Sequence, residues 1–228
     1  MDQLGDKVAL SILHNDRTED WTYAMLGQAV RGTAQGLWDM GLCAGDRILL
    51  RLGNLAGFPV AYLGCIAAGM IPVPLSAQLT PPEVQRIAGN ICPAATIQSD
   101  ATAVGTDRII TPNTLRTFYA LTPAAFAMGD PNRPAYIIHT SGTSGQPRAV
   151  VHAHRAVYAR QMMWNGWYGL QRCDRMLHAG AFNWTYTLGT GLMDPWTIGA
   201  TALIPADGTD AAALPALMAQ HNATLFAA

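Results

Sequence analysis

The sequence predicts an α/β fold in which largely parallel sheets are flanked by helices. Apolar, β-like runs alternate along the chain with helical segments that are often ten or more residues long. About half of the 228 residues are apolar and only 13% are charged, so the chain can bury a sizeable core. No internal repeat or low-complexity tail interrupts the alternation.

Residues 1–121 are predicted to form a first α/β subdomain. Helices are expected from Thr22 as N-cap to Gly41, from Asn54 as N-cap to Gly69, and from a capping box that opens at Thr80. A polar turn is expected at 15–20. The predicted strands of this part are 8–13, 47–52, 71–75, 95–98 and 108–111.

Residues 122–134 are predicted to be a connector, because Pro, Ala and Gly recur there, and 135–228 to form a second α/β subdomain. A long helix is expected from His154, with further helices near 188–198 and 211–221. The predicted strands of this second subdomain are 135–139, 149–152, 175–178, 201–204 and 224–227. Since the last residues continue an apolar strand pattern, we expect this subdomain to be truncated at its C-terminal end.

Composition excludes several classes of function. The formal net charge of −1 gives no electrostatic reason to expect nucleic acid or an anionic membrane as a partner. The four cysteines form no C-x-x-C pair, which argues against a metal site or a disulfide framework. No signal peptide is visible, and Pro and Gly interrupt the longest uncharged stretch, 52–82, so we expect a cytoplasmic protein without a membrane span.

The segment from 140 to 148 carries the clearest chemical signal. Its glycines let the backbone turn tightly and present N–H groups, its hydroxyls add donors, and a basic residue follows its proline. Such a loop suits a polyphosphate, although it lacks the spacing of a Walker A loop or of G-x-G-x-x-G. The predicted phosphate ligands are Thr140, Ser141, Gly142, Thr143, Ser144, Gly145 and Arg148.

This loop resembles the signature of the adenylate-forming enzymes, which include acyl-CoA synthetases, adenylation domains and luciferases. Arg148 stands where the family usually has lysine, and Ala149 where it usually has glycine. The stretches 21–47, 68–75 and 151–155 also resemble family segments. The resemblance implies the N-terminal part of the large domain of such an enzyme.

The resemblance also implies a two-step reaction. A carboxylate attacks the α-phosphorus of ATP, with magnesium helping to neutralise the triphosphate, and a thiol such as that of CoA then displaces AMP. The loop residues would hold the β- and γ-phosphates. A small-molecule carboxylic acid is the implied partner.

The stretch from 181 to 187 resembles the start of the carboxylate pocket in benzoate-type and medium-chain acyl-CoA ligases. By that match Trp184 lies near the acyl group, with Phe182 and Tyr186 as alternatives. An aromatic lining suits an aryl or a medium-length alkyl acid, and the sequence does not separate these. For Trp196 ordinary core packing is the preferred interpretation.

The resemblance places the rest of the apparatus beyond residue 228, including the adenine pocket, the magnesium-holding glutamate, the ribose-binding aspartate and the catalytic lysine. No catalytic residue and no metal ligand is therefore predicted within this chain, whose only lysine is Lys7. We expect the isolated chain to be inactive and to need the remainder of the enzyme or another chain. Two alternatives stay open: a non-catalytic nucleotide- or acyl-binding module, and an adenylation domain serving a carrier protein.

Overall fold

A computed structural model describes residues 4–99, 104–140 and 148–228. The prediction of an α/β fold with largely parallel sheets is confirmed. Among the described residues the strands are β1 (Val8–Leu13), β2 (Thr18–Thr22), β3 (Arg47–Arg51), β4 (Ile71–Pro74), β5 (Ala95–Gln98), β6 (Ile109–Ile110), β7 (Pro134–Thr140), β8 (Arg148–Ala153), β9 (Arg175–His178), β10 (Thr201–Pro205) and β11 (Leu225–Ala227).

Most of the helices are short. The α-helices are α1 (Tyr23–Asp39), α2 (Gly57–Ala67), α3 (Pro81–Ile91), α4 (Pro112–Phe118), α5 (Arg155–Arg160), α6 (Trp164–Trp167), α7 (Asp194–Ile198) and α8 (Leu214–Gln220). A π-helix covers Thr187–Met193 and a 3₁₀ turn covers Ala211–Ala213. None of the described helices is long and apolar enough to cross a bilayer.

The chain divides into two compact units whose bounds differ from the linear division 1–121, 122–134 and 135–228. The first contains the described residues of Met1–Leu26, Asn54–Ala56 and Arg155–Ala228, and the second those of Gly27–Gly53 and Gly57–His154. The bounds differ because β1, at the start of the chain, pairs with β10, near its end.

The first unit is built on a five-stranded sheet with the order β11-β9-β10-β1-β2. Every neighbouring pair is parallel except β1 with β2. Strands β1 and β10 are buried along almost their whole length, as is typical of parallel strands covered on both faces. Side chains tie the start of β1 to α7 and to the start of β10: Trp196 Nε1 donates to the Ala9 carbonyl at 2.7 Å and Thr201 Oγ1 to that of Val8 at 2.8 Å. Trp196 is half-buried and bonds to the β1 backbone.

The second unit contains a four-stranded parallel sheet with the order β4-β3-β5-β6 and a separate antiparallel hairpin of β7 and β8. Helix α3 covers the sheet with Val84, Ile87 and Ile91, which share one buried cluster with Leu49 and Val73. Thr80 caps this helix as predicted, since Glu83 accepts from its backbone N–H at 2.8 Å.

Helix α1 is held closely against α2 and α4 at glycines. A Cβ on Gly36 would lie 2.3 Å from Cγ of Phe118, and a Cβ on Gly64 would lie 2.6 Å from Cγ2 of Thr33. The side chain of Arg31 also donates to the Ala124 carbonyl at 2.7 Å, which holds part of the predicted connector against this unit.

Three local predictions are wrong. Residues 18–22 form an edge strand instead of a turn, and their polar composition is what a solvated edge requires. The long helix expected from His154 is two short ones, because α5 and α6 contain no buried residue that could hold a longer helix to a core. Asn54 does not cap α2, since its side chain bonds elsewhere. Helix α4 was not predicted.

The glycine contacts lead to a stability prediction. Gly36→Ala should lower the free energy of unfolding by about 1–3 kcal/mol, because the added methyl must displace the Phe118 ring. The matched control is Gly89→Ala in α3, where a Cβ meets nothing within 4 Å; it should raise stability by about 0.5–1 kcal/mol through helix propensity. Urea unfolding of the purified chain measures both, and equal effects would contradict the packing account.

Candidate functional site

The predicted phosphate loop connects β7 to β8 along the chain. Thr140 and Arg148 are paired across the antiparallel ladder, so the two ends of the loop lie side by side, and both residues are exposed. Ser141, Gly142, Thr143, Ser144 and Gly145 lie outside the described residues. The predicted strand–loop–strand context is present on both sides of the loop.

Aromatic packing fixes the base of this hairpin. Tyr136 in β7 is 3% exposed; its ring lies 4.6 Å from that of His152 in β8 in a stacked arrangement and 5.7 Å from that of Tyr62 in α2. Ile137 belongs to the buried cluster of the parallel sheet. One strand of the hairpin is therefore anchored in the core while Val150 and Val151 on the other are exposed.

The chemistry available at the described ends of the loop is a hydroxyl and a guanidinium. Arg148 stays charged at any physiological pH and offers a planar fork of donors that suits phosphate oxygens. Burial lowers the pKa of His139 and of His152, so neither imidazole adds positive charge near neutral pH. Arg148 is then the cation of this hairpin nearest to the loop.

The predicted acyl residues lie in the first unit, between β9 and the π-helix. Phe182 is 1% exposed and belongs to the core, whereas Trp184 is 62% and Tyr186 40% exposed. The Tyr186 ring lies 4.8 Å from the ring of His178 and 6.4 Å from that of Trp167. Trp184 and Tyr186 thus offer accessible aromatic surface, whereas Phe182 is buried.

Asn54 fixes the turn that carries these residues. Its Nδ2 donates to the carbonyls of Gly180 and Pro205, both at 3.2 Å, and its Oδ1 accepts from the N–H of Phe182 at 3.0 Å. Its own N–H donates to Asp207 Oδ2 at 3.0 Å. A buried amide with this many partners holds one backbone conformation of the 180–182 turn.

An ion pair between partly buried Arg160 and buried Asp194 fixes the π-helix from the other side. The guanidinium of Arg160 donates from Nε to Asp194 Oδ1 at 2.7 Å and from Nη2 to Oδ2 at 2.6 Å, and Tyr168 OH donates to Oδ2 at 2.5 Å. Burial and this hydrogen bond raise the pKa of Tyr168. The guanidinium takes the space where Gly189 would carry a Cβ, which would lie 2.4 Å from Cζ of Arg160.

His178, the last residue of β9, was missed by sequence reasoning. It is 1% exposed, and its Nδ1 accepts from the Gly180 N–H at 3.0 Å. Burial lowers its pKa to about 4, so the imidazole is neutral at physiological pH. The signal available in the sequence was its position at the carboxyl end of a predicted strand, since ligands of parallel sheets bind beyond the carboxyl ends of the strands. The Arg160–Asp194 pair has no local sequence signal.

Metal ligands do not cluster among residues 4–99, 104–140 and 148–228: no group of three or more His, Cys, Asp or Glu side chains could hold an ion. This part of the chain therefore does not provide a carboxylate set of the kind that Mg²⁺ prefers.

The low pKa of His178 predicts a pH effect. The unfolded chain binds a proton at this residue below about pH 6.5, but the folded chain does so only below about pH 4. Stability is therefore lost as the pH falls through this window, because the unfolded state binds more protons. His178→Gln should lose about 1–3 kcal/mol less than wild type between pH 7 and pH 4.5 in urea titrations. Parallel pH dependences of the two proteins would contradict this.

The ion pair predicts a large effect on stability. Arg160→Met should lower the free energy of unfolding by about 3–5 kcal/mol, because Asp194 would remain charged and buried without its cation. Arg155→Met, an exposed arginine of the same helix α5, is the matched control and should change stability by less than about 0.5 kcal/mol. Urea unfolding at pH 7 measures both, and a loss below 1 kcal/mol for Arg160→Met would contradict the role of the pair.

Comparisons of the sequence and the fold with known proteins show which family the chain belongs to. The sequence profile of the AMP-binding enzymes matches residues 1–228. The 3-hydroxybenzoate–CoA/4-hydroxybenzoate–CoA ligase of Thauera aromatica is 26% identical over 231 residues, 90% of this chain and 43% of that protein. A long-chain-fatty-acid–CoA ligase of Mycobacterium tuberculosis is 30% identical over 173 residues, 68% of this chain and 34% of that protein.

Solved structures show the same fold. A benzoate CoA ligase from Burkholderia xenovorans LB400 superposes with a TM-score of 0.87 and 25% identity, covering 99% of this chain and 47% of that one. The chain thus spans less than half the length of each of these three relatives. Since the family profile matches the whole chain and the fold agrees, the chain belongs to the AMP-binding family of adenylate-forming enzymes.

Proposed function

We propose that this chain supplies the triphosphate loop and part of the acyl pocket of an enzyme that activates a carboxylic acid with ATP and transfers the acyl group to CoA. The observation that carries the proposal is the pairing of Thr140 with Arg148, which closes a hydroxyl- and glycine-rich loop at the tip of a core-anchored hairpin. The Thauera and Mycobacterium relatives are both named as CoA ligases.

In the first step a carboxylate oxygen forms a bond to the α-phosphorus of ATP, and the bond to the bridging oxygen of pyrophosphate breaks. The loop from Thr140 to Gly145 holds the β- and γ-phosphates through backbone N–H groups and hydroxyls. Arg148 balances the charge of the departing pyrophosphate. In the second step the CoA thiolate attacks the acyl carbon and AMP leaves.

The acyl group lies against Trp184 and Tyr186, with Phe182 forming the floor beneath them. Accessible aromatic side chains beside a fully buried one provide an apolar wall, which suits an aryl or medium-chain acid. Asn54 and the Arg160–Asp194 pair fix the segments on either side, so this wall is preorganised before the acid binds.

Magnesium in this proposal arrives with the nucleotide. When bound, it neutralises part of the triphosphate charge. The described part of the chain offers no carboxylate cluster for it, so further ligands come from the remainder of the enzyme or from another chain. The free thiols of Cys43, Cys92 and Cys173 are exposed, which suits a reaction in the reducing cytoplasm.

Two alternatives use the same fold. An adenylation domain would pass the acyl group to a carrier protein instead of CoA, and supplying each acceptor separately discriminates between them. A non-catalytic module would bind nucleotide or an acyl group without forming the adenylate. The chain's only lysine supports the view that catalysis needs further residues, since Lys7 Nζ donates to the Arg172 and Gly199 carbonyls within the first unit.

The test is carboxylate-dependent ATP–pyrophosphate exchange by the full-length gene product. Arg148→Ala should lower exchange by about 10- to 100-fold, because a charged phosphate contact is lost. Arg148→Lys should stay within a few-fold of wild type, and Arg116→Ala, an exposed arginine of α4, should not change the rate.

The 228-residue chain alone should show no exchange, since the family's adenine, ribose and lysine segments do not occur in it. Exchange by this isolated chain would contradict the proposal that it supplies only part of the active site. Nucleotide binding by the full-length product without exchange for any acid would favour the non-catalytic alternative.

A further inference from the structure

Two buried side chains, each with an unpaired polar atom, pack against a single glycine beside the proposed acyl segment. Thr187 is 0% exposed and His178 is 1% exposed. Neither Oγ1 of Thr187 nor Nε2 of His178 has a hydrogen-bond partner among the described residues. A Cβ on Gly180 would lie 2.3 Å from that Oγ1 and 2.9 Å from Cε1 of His178, so both side chains face the place where Gly180 carries no side chain.

The hydrogen atoms on His178 can be assigned. Nδ1 accepts from the Gly180 N–H, and a neutral imidazole carries its one proton on the other nitrogen. Nε2 is therefore an N–H donor without an acceptor. Gly180 packs on the Nδ1 and Cε1 side of the ring and Gly191 on the Cβ, Cγ and Cδ2 side, and Nε2 itself is buried.

Native structures rarely leave a buried donor and a buried hydroxyl unpaired side by side. Other unpaired buried atoms exist in this chain, such as Oγ1 of Thr33, but here the two side chains that carry them both adjoin Gly180, just beyond the carboxyl end of β9. Thr187 also opens a π-helix, a form that is frequent at functional sites. The two atoms are thus placed to meet a ligand.

We propose that His178 and Thr187 recognise a hydroxyl group on the acid, and that the substrates are hydroxy-substituted aromatic acids. A hydroxyl accepts from Nε2–H and exchanges a hydrogen bond with Oγ1, so it satisfies both atoms at once. The adjoining aromatic surface of Tyr186, 4.8 Å from the imidazole, favours a ring as the body of the acid. This inference rests on the proposed function, since it assigns the acyl group to this segment.

The test compares the full-length gene product on benzoate, 3-hydroxybenzoate, 4-hydroxybenzoate and the corresponding aminobenzoates in ATP–pyrophosphate exchange. We expect at least one hydroxybenzoate to exceed benzoate by about tenfold or more in kcat/KM, because a site built to bond a hydroxyl rejects the analogue that lacks it. The aminobenzoates should not share the gain, since an aromatic amino group is a poor acceptor for Nε2–H.

Thr187→Val is the informative variant because it keeps the shape and removes only the hydroxyl. It should reduce the hydroxybenzoate-to-benzoate ratio of kcat/KM by about tenfold. Thr33→Val removes the same kind of unpaired buried hydroxyl from α1 and should leave the ratio unchanged. His178→Phe should also lower the ratio, and thermal unfolding of each variant checks that it is folded.

The outcomes separate this inference from the proposed function. Exchange with benzoate but no preference for either hydroxybenzoate would overturn the inference and leave the function standing. A hydroxyl preference that persists in folded Thr187→Val, or equal use of aminobenzoates, would also overturn it. No exchange with any carboxylic acid would overturn the proposed function, and the inference with it.

Discussion

The pairing of β1 with β10 is the constraint on which the first unit depends. Strand β1 lies between β10 and β2, so the first two strands of the chain join three strands from its last third in one sheet. Side-chain bonds from Trp196 and Thr201 to the β1 backbone reinforce this non-local contact. Strand β10 also pairs with β9, so it connects β1 to the strand that ends at His178.

The candidate acyl segment is held by polar groups that are fully used. Asn54 bonds the 180–182 turn through both ends of its amide, and Asp194 receives two bonds from Arg160 and one from Tyr168. Buried polar networks of this kind favour one arrangement over its alternatives, since every rearrangement leaves a partner unsatisfied. They give the aromatic side chains between them a defined geometry in the absence of a substrate.

Elements that are determined by neighbouring residues could be predicted from the sequence. Elements that depend on contacts with residues far along the chain could not. The Thr80 capping box and the strands on either side of the Ser/Thr-Gly segment depend on neighbouring residues and are present in the structure. Strand β2 exists only because β1 pairs with it, and its polar residues read locally as a turn. The same applies to Asn54, for which the neighbouring residues indicate a helix cap. Its actual partners Gly180, Phe182 and Pro205 lie more than 120 residues away along the chain.

The buried polar groups of this unit include some with hydrogen-bond partners and some without. Asp194 and Asn54 have as many partners as their chemistry requires, so their burial is explained by the fold alone. Nε2 of His178 and Oγ1 of Thr187 are equally buried and have none among the described residues. Folding alone gives no reason to keep such atoms where an apolar side chain would pack as well. Their retention beside an accessible aromatic ring is explained if the missing partner is part of the molecule that the ring binds.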